Sequence, residues 1–314
     1  MLTGDPAYTI ISVATFLRLP LPTDTIEGHG HYAFAAHPPT IKRFFDEVHV
    51  MASLQKPRKI SIEGTDGRIY PFLCKPKDDL RKDARLMEFN NMINRFFKHD
   101  AESSRRDLYI RTYSVTPLNE ECGVIEWVSN VQTLREILLF YYKQKNIHIN
   151  YNEVRLFLEE ATGDIKNPKS RKPHIFSNKV LPAHPPVFHE WFLEMFSEPA
   201  AWFAAHLRYT HTSTVMSMTG TVLGLGDRHG ENILFDQLSG DTVHVDFNCL
   251  FDKGLSFEKP EHVPFRLTKN MVDAFGVTGY EGVYRKTCES TMRLLRQQRN
   301  YDDCPRSIHP RSQC

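Results

Sequence analysis

Three polar side chains in the stretch 223–250, those of Asp227, Asn232 and Asp246, have the types and spacing that phosphoryl-transfer chemistry requires. A carboxylate can accept the proton of an attacking hydroxyl, and an amide oxygen with a second carboxylate suits Mg²⁺ and substrate phosphates. The protein's share of such a reaction is positioning and charge neutralisation. Any one of the three would more often be a turn or cap residue, but D-R-H-x-x-N followed 14 residues later by D-F predicts a site.

Two short strand-like runs, 232–236 and 242–247, are joined by a polar turn that contains one glycine. This pattern predicts a β-hairpin. Pairing the runs about the centre of the turn sets Asn232 opposite Asp246, so the hairpin is expected to bring these side chains together at its open end. Asp227 lies in a glycine-rich turn that is expected to expose its carboxylate nearby.

The elements before this stretch predict a small, mostly antiparallel sheet with one helix. Ile60 and Ile62 alternate with polar residues, and a turn signal at 64–67 precedes a returning strand at 69–75. Pro71 inside that strand predicts an edge position or a bulge, because proline cannot donate a ladder hydrogen bond. A helix is expected next at 79–98, and two further strands at 111–118 and 124–128.

Beyond residue 129 the apolar periodicity is mainly helical. A polar stretch at 162–178 is expected to be a flexible loop. The whole pattern predicts an α+β fold with a small sheet-containing part followed by a larger helical part. The helices are expected at 134–145, 187–196, 200–209, 212–224 and 281–299.

The composition excludes several classes of protein. Apolar residues make up 41% of 314 residues, which predicts a packed core, and a formal net charge of +1 argues against a protein whose main task is binding nucleic acid. The six cysteines include no C-x-x-C pair, and the apolar stretch 10–17 is too short to span a bilayer, so a soluble intracellular protein is expected. His29, His31 and His37 are expected to be loop residues rather than metal ligands.

The motif G-L-G-D-R-H-x-x-N-I with a following H-V-D-F resembles the signature of the phosphatidylinositol 3-kinase-related kinases. Ordinary protein kinases carry H-R-D in the catalytic loop, and this order is inverted here. The resemblance covers roughly residues 50–300 and extends to the checkpoint kinases of that family. The stretches that carry it are ASLQKPRKI at 52–60, CKPKDDLRKDARLMEFN at 74–90, IEWVSN at 125–130, HPPVFHEWF at 184–192 and HVDFNCLFDKG at 244–254.

The resemblance implies a two-lobed, protein-kinase-like fold and a role for each matching residue. Asp227 would orient the attacking hydroxyl and accept its proton, and His229 would steady the transferring phosphoryl group. Asn232 and Asp246 would hold Mg²⁺ or Mn²⁺, and Lys75 would contact the phosphates of ATP. The implied domains are an N-terminal extension at 1–48, an N-lobe at 49–127, a C-lobe at 128–300 and a divergent tail at 301–314.

The remaining ATP-binding residues are also implied by the resemblance alone. Asp83 would be the acidic partner of Lys75, and Trp127 would stack on adenine. The loop that covers the phosphates would be Ser53, Leu54, Gln55 and Lys56, the hinge would be Glu126, Trp127 and Val128, and Tyr113 would lie in the inner pocket.

The segment 247–263 bears on the substrate class. It carries two lysines against three acidic residues, whereas a phosphoinositide headgroup would favour a basic segment, so a protein hydroxyl is the expected acceptor. The resemblance implies Ser or Thr followed by Gln, recognised at 264–268, and a checkpoint role in the nucleus. It also implies a regulatory partner that docks on a region absent from this chain, with no direct binding to nucleic acid or membrane.

Two alternatives remain open. The chain after Arg299 matches nothing in the family, so a catalytically weak or silent fragment that acts as a binding module is one. Its last helix would then expose apolar side chains such as Val283, Met292 and Leu295. The other is a small-molecule phosphotransferase of related fold, which is not expected to carry all these stretches together. Asn248 replaces the glycine of D-F-G, where a positive φ would suit glycine better.

Overall fold

The computed structural model describes residues 39–51, 56–162, 174–258 and 261–297. The chain forms two compact units. Of the described residues, the first unit comprises those up to Met92 with Thr112–Ser129 and Asp246–Asn248. The second unit comprises the other described residues, which lie within Ile93–Arg111, Asn130–Val245 and from Cys249 onward. The secondary structure is of the mixed α+β class, as the sequence predicts.

Several sequence predictions concern residues outside the described ranges. These are the three histidines at 29, 31 and 37, the phosphate-loop residues Ser53, Leu54 and Gln55, and the tail at 301–314. Within the described ranges, no helix has both the length and the apolar character needed to cross a membrane.

The first unit is built on a six-stranded antiparallel sheet. The strands follow the order β1-β3-β4-β6-β5, with β2 pairing to β3 beside β1. The predicted hairpin at its centre is confirmed, with Ile60 opposite Phe72. The strands are β1 (Ile41–Phe44), β2 (His49–Val50), β3 (Arg58–Gly64), β4 (Ile69–Pro76), β5 (Val115–Pro117) and β6 (Cys122–Glu126).

Pro71 lies in β4, an interior strand, but the ladder to β6 begins only at Phe72, so on that side Pro71 occupies a local edge position, as predicted. It faces Ser61 of β3, and on its other side its carbonyl accepts a hydrogen bond from the backbone N–H of Trp127 at 3.1 Å. Because β6 ends at Glu126, the missing proline N–H falls where the neighbouring strand has already ended.

The strand expected at 111–118 is shorter than predicted, because a side chain takes one of its donors. The carboxylate of Glu126 accepts the backbone N–H of Ser114 at 2.8 Å, and β5 begins only at Val115. The predicted helix before it is confirmed as α1 (Arg81–His99), and a short helix α2 (Ala101–Arg105) follows. Asp100 caps α2 by accepting a hydrogen bond from Ser103 N–H at 2.9 Å.

The second unit is mainly helical and contains a three-stranded antiparallel sheet in the order β7-β8-β9. Its strands are β7 (Val131–Thr133), β8 (Ile233–Asp236) and β9 (Thr242–His244). Its helices after α2 are α3 (Leu134–Gln144), α4 (Tyr151–Thr162), α5 (Leu181–Ala183), α6 (Phe188–Met195), α7 (Pro199–Leu223), α8 (Lys269–Asp273) and α9 (Val283–Gln297).

The two helices predicted at 200–209 and 212–224 form one continuous helix, α7. The polar run between them interrupts the apolar periodicity but is buried, and several of its hydroxyls donate within the helix, while Ser213 bonds to the Thr242 hydroxyl of β9. Thr210 and Thr214, for example, each donate to the carbonyl oxygen four residues earlier. α7 ends at Gly224, which adopts the left-handed conformation at φ +57° that favours glycine.

The loop expected at 162–178 is described only at its two ends, which are helical; residues 163–173 lie outside the described ranges. Helix α4 was not predicted, and Asn150 supports its start by accepting the Glu153 N–H at 3.2 Å. A π-helical turn occupies Phe176–Val180 and leads into α5. In α9, Val283 is exposed as expected, whereas Met292 and Leu295 are partly buried.

A cluster of buried aromatic rings joins the helices of the second unit to β8. Phe188 of α6 lies 4.6 Å, centroid to centroid, from Phe235 of β8 and 5.5 Å from Tyr209 of α7. Trp191 of α6 donates its indole N–H to Gln132 of β7 at 2.7 Å. This core fixes the hairpin that follows the candidate catalytic loop.

Candidate active site

The loop at 224–232, called the catalytic loop below, connects α7 to β8 and carries Asp227. Asp227 has φ +57°, a left-handed conformation that costs a non-glycine residue about 1–2 kcal/mol. Three side-chain hydrogen bonds hold the backbone around it. Glu261 accepts the Asp227 N–H at 2.9 Å, Asn232 Nδ2 donates to the Asp227 carbonyl at 2.8 Å, and Arg228 Nε donates to the Gly226 carbonyl at 2.9 Å.

Arg228 is a buried part of this loop to which the sequence analysis assigned no role. Its guanidinium also donates to the carbonyl oxygen of Val245 at 2.8 Å, which ties the catalytic loop to the end of the hairpin. Burial lowers the pKa of His244 to about 3, and the positive charge of Arg228 contributes to this shift. His244 is therefore neutral at physiological pH, and Arg228 keeps the only charge of this pair.

The hairpin is present, but its predicted register is wrong by one residue. Ile233 faces His244, and the Val245 N–H donates to the carbonyl of Asn232 at 3.1 Å, so Asn232 faces Val245 rather than Asp246. The reason lies in the turn, which closes between Asp236 and Asp241. The loop therefore has four residues, 237–240, whereas the prediction assumed five, 237–241, centred on Ser239.

Asp246 follows the last paired residue and belongs to the first unit. It has φ +59°, which ends the strand alternation at the point where the D-F motif begins. Asn248 is not among the residues with positive φ, so the left-handed position in this motif is Asp246 and not the residue that replaces glycine.

His229 is exposed on the catalytic loop. Its Nδ1 accepts a hydrogen bond from the Glu231 N–H at 3.2 Å. A neutral imidazole that accepts at Nδ1 carries its proton on Nε2, so His229 offers an N–H donor at its outer edge.

The two residues implied as metal ligands each carry an oxygen of the kind that a hard divalent cation binds. Asn232, in the second unit, is buried and its Nδ2 donates to the Asp227 carbonyl, so its Oδ1 is the atom that could act as a ligand. Asp246, in the first unit, carries a carboxylate. In the part of the chain that the structure describes, no group of three or more His, Cys, Asp or Glu side chains could hold a metal. Two protein ligands suit Mg²⁺, which usually keeps water and substrate phosphates in its remaining positions.

Lys75 lies near the end of β4 and is largely buried, with 11% of its side chain exposed. Its Nζ is 3.3 Å from the carboxylate of Asp78, three residues later. The direct ion pair of Lys75 is therefore with Asp78, whereas the resemblance implied Asp83. The acidic pair Asp78-Asp79 in K-P-K-D-D was the sequence signal for this ion pair, whereas the sequence prediction singled out Asp83 on the following helix.

Asp83 is 2% exposed on the first turn of α1. Burial raises the pKa of its carboxyl group, the positive charge of Lys75 opposes that rise, and the carboxylates of Asp78 and Asp246 add to it. Its Oδ2 has no hydrogen-bond partner among the described residues. Asp83 is thus a buried acid whose interaction with Lys75 is a longer-range electrostatic one, without a direct ion pair.

The other residues implied for ATP binding lie in the first unit. Lys59 Nζ lies 4.2 Å from the centroid of the Trp127 ring, a cation–π distance, and Trp127 and Val128 are half-buried. Tyr113 is buried, and Lys56 is exposed with φ +46°.

A cleft of about 500 Å³ lies in the second unit beside Gly230 of the catalytic loop. It is lined on one side by Arg266, Leu267 and Thr268, which overlap the segment predicted to recognise the substrate. Its polar lining includes Arg135, His184 and Lys269 and, among the lining residues, no carboxylate. Its apolar lining comes chiefly from α3 and the π-helical turn.

Comparison with known proteins places the chain in a family. The family described as phosphatidylinositol 3- and 4-kinase matches residues 69–302. Protein kinase rad3 of Schizosaccharomyces pombe is 57% identical over 296 residues, covering 94% of this chain and 12% of that protein. Serine/threonine-protein kinase ATR of Arabidopsis thaliana is 50% identical over 323 residues, covering 94% and 12%.

The fold is also similar to solved structures. The FAT and kinase domain of CtTel1 gives a TM-score of 0.78 at 36% identity, covering 89% of this chain and 20% of that one. The open conformation of CtTel1 gives 0.80 at 34% identity, covering 95% and 11%. The chain thus spans about an eighth of the length of the two curated relatives. It belongs to the phosphatidylinositol 3- and 4-kinase family and resembles the protein kinases named rad3 and ATR.

Proposed function

We propose that this chain is the catalytic part of a serine/threonine checkpoint kinase that acts in the nucleus and transfers the γ-phosphoryl group of ATP to Ser or Thr followed by Gln. The observation that carries the proposal is the catalytic loop. Three side chains hold Asp227 in an unfavourable backbone conformation, as expected where a loop is shaped for chemistry.

In the proposed mechanism, Asp227 accepts the proton of the attacking hydroxyl as the substrate oxygen bonds to the γ-phosphorus, while the bond from the γ-phosphorus to the β,γ-bridging oxygen breaks and ADP leaves with that electron pair. His229, whose Nε2 carries a proton, donates to an oxygen of the transferring group. Asn232 and Asp246 would bind Mg²⁺ or Mn²⁺, which when bound neutralises phosphate charge. Lys75, with Asp83 and Asp78 around it, binds the phosphates of ATP.

ATP binding would involve the rest of the implied set. Lys56 with the preceding loop residues covers the phosphates, and Trp127 stacks on adenine. Since Lys59 lies over the Trp127 ring, adenine would take the other face of the indole or displace the lysine. Glu126 and Val128 complete the hinge, and Tyr113 lies in the inner pocket.

The cleft beside Gly230 supports a protein substrate. Its apolar surface suits a peptide, and its cations favour neutral or acidic flanking residues over basic ones. The proposal includes a regulatory partner because the chain resembles these relatives. The partner would dock on a region outside this chain, which spans 12% of each relative.

Paired peptides test the specificity. Transfer from γ-labelled ATP is measured with a Ser-Gln peptide, its Ser-Ala counterpart, and a Ser-Gln peptide flanked by lysines. The expected order of kcat/KM is Ser-Gln, then the lysine-flanked peptide, then Ser-Ala. Equal rates on all three peptides would contradict the specificity. A chain that folds and binds ATP but transfers to none would support the silent-fragment alternative.

A further inference from the structure

The segment that follows the D-F-N motif is joined to the catalytic loop at successive points within the second unit. Gly226 N–H donates to the carbonyl of Cys249 at 2.8 Å, and Asp252 N–H donates to the carbonyl of Gly224 at 3.0 Å. These backbone bonds fix the start of the segment against residues that immediately precede Asp227.

Glu261, further along this segment, makes a side-chain contact with Asp227 itself. Its Oε2 accepts the Asp227 N–H at 2.9 Å, while its own N–H donates to the carbonyl of Gly254 at 3.0 Å. A carboxylate acceptor makes a shorter and stronger hydrogen bond than a neutral group. The contact spans 34 residues of sequence.

Glu261 is exposed as a residue, but a side chain at position 226 or 254 would collide with its carboxylate. A Cβ on Gly226 would lie 2.6 Å from Glu261 Oε2 and 2.8 Å from Cys249 Sγ, closer than side-chain atoms approach. A Cβ on Gly254 would also lie 2.6 Å from the same oxygen. The two glycines therefore form a slot into which the Glu261 carboxylate fits.

We propose that Glu261 is a positioning residue for phosphoryl transfer: its carboxylate holds the Asp227 peptide in the left-handed conformation that aims the catalytic carboxylate. This inference rests on the proposed kinase activity of Asp227. It couples the segment to the chemistry, because a displacement that withdraws Glu261 removes the acceptor from the Asp227 N–H. A change in the position of the segment would therefore also change the alignment of the Asp227 carboxylate.

The test compares Glu261→Ala, Glu261→Gln and, as a matched control, Glu258→Gln, which removes an exposed charge from the same segment. Asp227 acts on the hydroxyl proton only during transfer, so kcat should fall by about 10²-fold in Glu261→Ala with both KM values nearly unchanged. Glu261→Gln keeps an oxygen acceptor and should recover most of the activity. Glu258→Gln should behave as the wild type.

Amide hydrogen exchange on the peptide that contains Asp227 gives a second readout that needs no activity. Exchange there should accelerate in Glu261→Ala and stay near wild type in Glu261→Gln, at equal thermal stability. Gly226→Ala, which displaces the carboxylate without removing it, should reproduce the Glu261→Ala phenotype. Unchanged exchange and kcat in Glu261→Ala would overturn the inference, whereas an inactive wild type with the expected exchange pattern would overturn only the proposed function.

Discussion

The Lys75 region and the catalytic loop position their functional groups in different ways. Around Lys75, regular elements place the charges: β4 carries the lysine, α1 carries Asp83, and burial shifts the pKa of that acid upward. In the catalytic loop, no regular element holds Asp227; its backbone is bound by Asn232 of the same loop and by Glu261, 34 residues later. The first region is thus ordered by its sheet and helix, and the second by side-chain hydrogen bonds.

The largest expected effects are the losses of activity in Asp227→Asn and Asp246→Asn, and ATP binding should distinguish the two variants. Asp227→Asn should reduce kcat for phosphoryl transfer by about 10²–10⁴-fold while ATP still binds, because the base acts only during transfer. Asp246→Asn should be comparably inactive but should also weaken binding of Mg²⁺-ATP, since it removes a metal ligand. Steady-state kinetics with nucleotide titrations measure both effects.

Glu231→Gln is the matched control, because the Glu231 side chain is exposed on the same loop and its ion pair with Arg135 is exposed as well. If Asp227→Asn weakened ATP binding as much as Asp246→Asn did, the division between base and metal ligand would be incorrect.

Asp83→Asn should separate activity from stability. The folded pKa of Asp83 is raised, so its ionised form opposes folding, and wild-type stability falls as the pH rises through that folded pKa. The variant should therefore be at least as stable as the wild type at pH 7, with the difference shrinking toward pH 4. Its activity should fall by about 10-fold, because Lys75 loses a neighbouring negative charge.

Thermal unfolding from pH 4 to 8 and kinetics at pH 7 test this pair of effects. Glu88→Gln, an exposed acid on the same helix, is the control. A clear loss of stability at pH 7 in Asp83→Asn would contradict the view that burial of the charge is unfavourable.

A smaller effect is expected far from the catalytic loop. Asp100 caps α2 and pairs with Arg293 of α9 at 2.8 Å, and these contacts lower its pKa to about 2. Because the folded pKa is lowered, the stabilisation is present above the unfolded value of 3.8 and is lost as the pH falls toward 2. Asp100→Asn keeps a capping oxygen but loses the ion pair with Arg293, so it should cost at most about 1 kcal/mol of unfolding free energy at pH 7, with activity unchanged.

Denaturant unfolding at several pH values checks this expectation, with Glu289→Gln, an exposed acid of α9, as control. A destabilisation that persisted unchanged at pH 2 would show that the carboxylate charge is not its source.

The regular elements were largely predictable from sequence, and the loop contacts were not. Alternation at Ile60 and Ile62 and the stripe of α1 predict the elements that carry Lys75 and Asp83, because both patterns are local. The hairpin was predicted, but its register depended on how the turn closes at Asp236. The roles of Arg228 and Glu261 were missed, because a contact such as Glu261 with Asp227 leaves no periodic signal.

Helix α7, predicted as two helices, is a further case in which the contacts of the folded chain were not predictable from sequence. Several of its buried hydroxyls, such as those of Thr210 and Thr214, donate to carbonyls of their own helix, and Thr212 and Ser213 also bond to Thr242 of β9, so a polar sequence can occupy a core position. Apolar periodicity alone therefore underestimates helices of this kind.

The most direct test of the catalytic assignment is single-turnover transfer of the γ-phosphoryl group to a Ser-Gln peptide, with ATP binding measured on the same samples of wild-type and Asp227→Asn chain. The expected result is equal ATP binding and a transfer rate at least about 10²-fold lower in the variant. Equal transfer rates in the two chains would contradict the assignment of Asp227 as the base.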